Sequence, residues 1–453
     1  MQLLKFLKAP LLSRTQPTET EIEESYSYWR WRIFIGMYIG YVFYYFSRNS
    51  FGSIKPLLGQ DLGFSMSDLG ILTTIFAASY GLSKFISGVL SDRSNPRIFM
   101  SSGLIITGIL NILFGCSSSL LTLSILWCLN GLFQGWGWPP CAKLLTHWYS
   151  QKERGLWWGM QNSSHNVGAA LIPLLIGMTA QQFGWRHGMF AAGVLSIIVG
   201  IFIFFILRDT PSTMGLPSIE TFKKNTDPRA LSQEHEISLK ELLFKYILNN
   251  SYLWVLGIAY FFIYLIRGAI NDWAPMFLME TRGYQLVTAN GATFWFEVGG
   301  LIGSLFAGWA SDRLFKEKRG PVNVIFSCLM LLSIMALWAL PPIALLMDYL
   351  LIFIVGFFVF GPQMLIGMVA VELSHKKAAG GATGFIGFIA YLGMASSGYP
   401  LTKMVEAFGW SGFFEALMIC SILCILLLLP FWSIKNHPNH GLTKKVSRGS
   451  ASV

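Results

Sequence analysis

The sequence predicts an all-α polytopic membrane protein, with twelve transmembrane helices in two pseudo-symmetric six-helix bundles. Three observations predict it. Of 453 residues, 53% are hydrophobic and 12% charged, with mean hydropathy +0.53, whereas soluble domains carry roughly a quarter charged residues. Apolar runs of about twenty residues, the helical length that crosses a hydrocarbon core about 30 Å thick, recur along the whole chain. A Gly-x-x-Ser-Asp-Arg loop occurs twice, in GVLSDRSNPR from Gly88 and in GWASDRLFKEKR from Gly308, 220 residues apart.

Residues 1–29 hold Lys5, Lys8, Arg14 and the Thr/Glu-rich TQPTETEIEES, with no apolar core of secretory-signal length, so the first span itself directs insertion. The N-terminal bundle, 30–207, takes spans at 30–50, 66–88, 98–117, 120–144, 156–181 and 187–207. Pro139-Pro140 kinks the fourth. The charged stretch 208–250 is a cytoplasmic linker. The C-terminal bundle, 251–433, takes spans at 251–276, 288–309, 321–342, 346–372, 378–401 and 411–433, and 434–453 form a tail. Lys and Arg crowd the connections on the N-terminal side, leaving only Lys55, Arg186, Arg282 and Lys403 opposite, which places both termini in the cytoplasm. Topology thus explains the net charge of +10; no nucleic acid is implied, and anionic lipid is a fitting contact. The six cysteines lie in or beside spans without metal-ligand spacing and read as packing residues. No metal or cofactor is expected.

Charges inside the spans carry the functional information. Tyr45-Phe-Ser-Arg48 in the first span is echoed by Tyr264-Leu-Ile-Arg267 in the seventh, 219 residues on. At 1.5 Å per residue both arginines lie roughly 23 Å from the cytoplasmic start of their helices, where a charged side chain costs about 2.5 to 3.5 kcal/mol. Alone, Arg48 would read as a side chain snorkelling to the interface; its match with Arg267 argues for a facing pair. Two guanidinium forks suit an oxyanion with more than one charge, such as a phosphate. Asp272, Glu297 and Lys84 complete the buried charges, Lys84 reading as a partner for one of the acids. Three bases against two acids leave one positive charge for an anionic substrate.

Around them, the polar run Gln161, Asn162, Ser163, Ser164, His165 and Asn166 divides between helix-to-helix glue and donors to a substrate, with His165 able to change charge near neutral pH. Gln134 and Trp138 in NGLFQGWGWPPCAK, and Tyr41, Tyr45, Tyr80 and Tyr264, offer polar groups on a cavity wall, interfacial anchoring being the alternative for the tyrosines. Asp92 with Arg93, and Asp312 with Arg313, form acid-base pairs at the cytoplasmic ends of the repeated loop.

YYFSRNSF, YGLSKFISGVLSDRSNPR, QGWGWPPC, HWYSQKERG, NSSHNVG, RDTPSTMGLP, FGPQMLIG and ELSHKKAAGGATGFIGFIAYLG together resemble the organophosphate:inorganic phosphate antiporters, a branch of the major facilitator superfamily, over nearly the whole chain. The resemblance implies the major facilitator fold and exchange of an organophosphate for phosphate by alternating access. It implies that Arg48 and Arg267 hold the phosphoryl group with help from His165. It also implies that Tyr41, Tyr45, Lys84, Gln134, Trp138, Asn162, Tyr264, Asp272 and Glu297 line or support the cavity. The second half is more similar to bacterial hexose-phosphate transporters and their related sensor-transporter than to the glycerol-3-phosphate transporter; the first half is also similar to the endoplasmic-reticulum glucose-6-phosphate transporter. Glucose 6-phosphate is the shared substrate, and a bacterial inner membrane the expected location, for a monomer.

Two departures stand out. Many relatives carry Lys directly after the first arginine, where this chain has Asn49, removing a partner for Asp272. Some hexose-phosphate transporters carry an acid-base pair in the eleventh span, where this chain has Thr383 and Ile386. The alternatives are a receptor of external glucose 6-phosphate acting through a cytoplasmic sensor kinase, and a transporter of another organophosphate such as glycerol 3-phosphate. A membrane phosphatase or transferase lacks support, since the sequence has neither a P-loop nor metal-ligand spacing.

Overall fold

A computed structural model describes residues 19–92, 94–150, 153–223, 247–316, 318–340, 344–374 and 379–433. Regular structure among them is helical. The first half holds α1 (Glu19–Leu62), α2 (Met66–Asp92), α3 (Pro96–Gly115), α4 (Leu120–Gln134), α5 (Trp138–Trp148), α6 (Arg154–Phe183) and α7 (Trp185–Ile206). The second holds α8 (Ser251–Arg282), α9 (Leu286–Arg313), α10 (Arg319–Ala339), α11 (Leu345–Glu372), α12 (Ala379–Ser396) and α13 (Tyr399–Leu428). Arg93, most of the linker and the tail lie outside the described residues.

Three local features depart from the sequence expectation. First, α1 is 44 residues long and carries Lys55 and Pro56 inside the helix rather than in an outer connection. It stops only at Gly63, whose φ of 66° lets the Phe64 amide return to the Gly59 carbonyl at 3.0 Å, a Schellman cap. Second, the fourth span is broken, not merely kinked: α4 ends before Gly135 and α5 starts at Trp138 with prolines in its first turn, where a missing N–H costs nothing. Third, the linker begins as a packed segment. Trp148 Nε1 donates to the Asp209 carbonyl at 3.1 Å and the Tyr26 hydroxyl donates to the Pro217 carbonyl. Beside it, Arg30 pairs with Glu153 at 2.6 Å. Partial burial pushes the Glu153 carboxyl up, but Arg30 and the Ser150 amide and hydroxyl outweigh it and hold the group below its ordinary range.

Among the described residues, seven stretches of helix are long and apolar enough to cross a membrane. One of them covers both α12 and α13, so four expected spans are missing from the seven: the first, fourth, fifth and eighth. Those are the helices that carry Arg48, Gln134 and Trp138, the His165 run, and Glu297. The fourth is absent because its break leaves α4 and α5 with 15 and 11 residues, while the first, fifth and eighth carry polar candidate-site residues within their apolar runs.

Helix pairing repeats with the sequence duplication. In the first half α1 packs on α6, α2 on α4, and α3 on α7; in the second, α8 packs on α12, α9 on α11, and α10 on α13. Small residues make the closest approaches, as expected where lipid tails are as apolar as the helices. A Cβ on Gly108 of α3 would lie 2.7 Å from the Gly193 carbonyl of α7, and one on Gly193 would lie 2.6 Å from the Gly108 carbonyl.

The described residues divide into two compact units, one drawn from 1–234 and 272–294, the other from 235–271 and 295–453. The hairpin formed by the end of α8 and the start of α9 therefore belongs to the first unit. Within it, Asn290 Nδ2 donates to the Ser53 carbonyl at 3.1 Å. Gln181 Nε2 donates to Gln285 Oε1 at 3.2 Å, and the Val287 amide donates to Gln181 Oε1 at 3.1 Å.

Candidate functional site

In the first unit the structure gathers the candidate residues into one aromatic chain around Arg48. The Arg48 guanidinium carbon lies 3.9 Å from the centre of the Tyr80 ring, 5.0 Å from Tyr45 and 5.9 Å from Phe76. Such contacts stabilise a cation by about 0.5 to 2 kcal/mol without using up its N–H donors. Tyr45, three residues earlier on α1, lies 5.8 Å from the His165 ring and 5.7 Å from Tyr41, and Tyr41 lies 5.2 Å from Trp138. A ring nitrogen of His165 bonds the Asn162 carbonyl one turn back on α6. Lys84 lies one turn beyond Tyr80 on α2 and is half-buried.

A network of hydrogen bonds holds the helix that carries Arg48. Gln134 is buried and donates from Nε2 to Ser47 Oγ at 2.8 Å, while Asn111 and Asn130 each donate to the Ser47 carbonyl at 3.0 Å. Ser47 immediately precedes Arg48, so this polar knot fixes the arginine's helix. Tyr44, also buried, donates to the Met100 carbonyl at 2.8 Å. On α6, Gln161 donates to the Met37 carbonyl at 3.3 Å and Ser163 bonds Tyr38 at 3.1 Å: that much of the polar run is glue, and Asn166 is buried beside it. Gln134→Ala is expected to cost about 1 kcal/mol, seen as a melting temperature lower by a few degrees in detergent.

In the second unit, Arg267 is buried, with its guanidinium carbon 4.6 Å from the Phe360 ring and 5.9 Å from Tyr264. Its Nη2 lies 3.7 Å from Oε1 of Glu297, itself 1% exposed. Tyr264 packs edge-on to Tyr260 and Tyr391 at 4.7 and 5.4 Å. Each arginine thus follows a tyrosine by three residues and has a further aromatic ring over its guanidinium. Phe360 and Tyr391 were not singled out in the sequence; their apolar helices give no polar signal.

Arg267 is a base seen at Glu297. The ammonium beside the Asp272 segment comes from Lys55, which donates to the Asp272 carbonyl at 3.3 Å, and the Asp272 carboxylate attracts it. At the second copy of the repeated loop, Arg319 bonds Asp312 and lies 3.3 Å from Glu372, while Arg313 is exposed. The first copy's Asp92 ends α2. Among the described residues no three His, Cys, Asp or Glu side chains gather as a metal site requires.

Paired helical repeats with charged side chains set inside their long apolar helices define a membrane transporter. Residues 37–398 match the model of the Major Facilitator Superfamily, and the chain belongs to that superfamily of transporters, not to an enzyme family. Among its relatives, the probable hexose phosphate transport protein of Chlamydia trachomatis is 51% identical, covering 91% of this chain and 93% of that protein. The membrane sensor protein UhpC of Escherichia coli is 50% identical, covering 95% and 98%. The glycerol-3-phosphate transporter of Bacillus subtilis is 37% identical, covering 96% and 99%. In fold, the chain is similar to the crystal structure of a bacterial homologue of the human lysosomal transporter Spinster, with a TM-score of 0.70 over 89% of this chain and 95% of that one, at 15% identity.

Proposed function

We propose that the chain exchanges a hexose phosphate, first of all glucose 6-phosphate, for inorganic phosphate by alternating access in a bacterial inner membrane, with both termini cytoplasmic. Arg48 from the first bundle and Arg267 from the second each contribute one guanidinium fork to the same phosphoryl group. His165 adds a donor or a charge, and Tyr41, Tyr45, Tyr80, Trp138 and Tyr264 form the walls against which the sugar stacks. The observation that carries this reading is the matched pair of arginines, each within its apolar helix and each bracketed by aromatic rings.

The mechanism follows from charge. Without an anion, bringing two arginines to one phosphate position is opposed by their repulsion, so the empty carrier reorients slowly. Phosphate or sugar phosphate relieves that repulsion and lowers the barrier to rocking of the repeats, which couples the two fluxes. Glu297 tempers the charge of Arg267. In liposomes preloaded with phosphate, purified protein is expected to take up labelled glucose 6-phosphate in preference to glycerol 3-phosphate. Uptake independent of internal phosphate would sink the exchange reading.

A receptor is the second reading, favoured by 50% identity to a protein named a membrane sensor. It would bind glucose 6-phosphate and signal through a cytoplasmic sensor kinase. Fast exchange by the purified protein with no partner present favours transport; tight binding without flux favours the receptor.

A further inference from the structure

Lys55 is fully buried, yet it was expected in an outer connection and has no part in the phosphate chemistry. Its ammonium donates to Thr73 Oγ1 of α2 at 3.1 Å and to the Asp272 carbonyl at 3.3 Å, and sits 3.8 Å above the centre of the Trp273 ring. The Asp272 carboxylate is close to α1 as well: a Cβ built on Gly52 would lie 3.8 Å from Asp272 Oδ1. All of these contacts lie within the first unit. They are the charged centre of the surface on which hairpin 272–294 rests, flanked by the Asn290 bond to Ser53 and the Gln181 bonds to Gln285 and Val287.

Two features make this contact more than packing. Burying an ammonium costs several kcal/mol and its partners roughly offset that cost, so a lysine here holds the hairpin only weakly and can let go when water reaches it. A side chain without the ammonium would leave Thr73 Oγ1 and the Asp272 carbonyl without the donor they face, and so loosen the hairpin. Register also ties the contact to the arginines. Lys55 follows Arg48 by seven residues, two turns along the same face of α1, or about 10 Å; Asp272 follows Arg267 by five residues on α8.

We propose that Lys55 is a positioning residue, a reversible latch that holds hairpin 272–294 on the first bundle and thereby sets how much of the protein is open at that end. By the distribution of Lys and Arg that end faces outward. The link to substrate flux rests on the alternating-access reading above; the latch itself does not.

The test uses the full chain with its six cysteines replaced and Ser53→Cys added as a reporter, since Ser53 is buried under the hairpin. In proteoliposomes, a membrane-impermeant maleimide added outside should label this cysteine about tenfold faster in Lys55→Met than in the Lys55 parent, as expected for a tenfold larger open fraction. Lys55→Arg, which keeps the charge, should fall between the two. An unchanged rate in Lys55→Met overturns the latch, as does a Lys55→Arg rate equal to that of Lys55→Met. If Lys55→Met does not fold, Trp273→Leu, which removes the ring from beneath the ammonium, carries the same test: faster labelling supports the latch and an unchanged rate overturns it. Labelling needs no substrate. Faster labelling in a protein that exchanges no phosphate would leave the latch standing and sink the transport reading, whereas normal exchange with unchanged labelling would sink the latch alone.

Discussion

Arg48→Lys, reconstituted in phosphate-loaded liposomes, is expected to lose exchange by roughly a hundredfold while keeping the parent's melting temperature within a few degrees. A charged hydrogen bond contributes about 1.5 to 3 kcal/mol, and 1.4 kcal/mol is tenfold. Lysine keeps the positive charge that Tyr45 and Tyr80 stabilise, so the fold has little to lose. It gives up the planar fork, the geometry suited to gripping two oxygens of one phosphate at once. Arg267→Lys should fail similarly, with a larger loss of stability because Arg267 is the more deeply buried and pairs with Glu297. Exchange by Arg48→Lys at the parental rate would remove the arginine clamp from the mechanism.

Gly303→Ala should damage the second unit more than its single methyl group suggests. A Cβ there would lie 2.0 Å from the Phe357 carbonyl oxygen, and the next nearest atoms are backbone too. No side chain can swing aside, so α9 and α11 must part; overpacking of this kind costs about 1 to 3 kcal/mol or more. Glu297 lies six residues earlier on α9, and Phe360 three residues beyond Phe357 on α11, so both groups that flank Arg267 move with the helices. The expected result is a clear fall in melting temperature together with weaker exchange. Gly367→Ala on α11 is the control, because a Cβ there meets nothing within 4 Å. Equal melting temperatures for the two variants would contradict the helix packing described above.

The sequence made the architecture legible where the physics is local. A run of twenty apolar residues must be a helix in a bilayer whatever surrounds it, and two copies of Gly-x-x-Ser-Asp-Arg declared the duplication that the helix pairing repeats. The arginines were legible because charge in such a run is costly. What escaped depends on contacts distant in sequence. Lys55 reads from the sequence as part of an outer connection, because nothing nearby in the chain shows that α1 continues, or that Asp272 and Trp273 come to meet it. The bond from Gln134 to Ser47 has no signal in the sequence, because a polar side chain in an apolar helix points to substrate as readily as to a neighbouring helix. Asp312 stands next to Arg313 in the chain, yet the base that reaches it is Arg319 across the turn.

The spans whose hydropathy is lowered by polar candidate residues have a bearing on how the chain enters the membrane. Helix α6, with Gln161 through Asn166 in a row, would partition poorly if offered to lipid alone. The helix that follows it, α7, includes the most apolar of the seven stretches, with a mean hydropathy of 2.8. During synthesis α6 would then be retained beside the insertion machinery until α7 emerges, and its polar run would be sheltered by α1, which is already in place. The residues that suit the protein to carry an anion thus impose an order on its biogenesis, in which the working helices enter as passengers of their greasier neighbours.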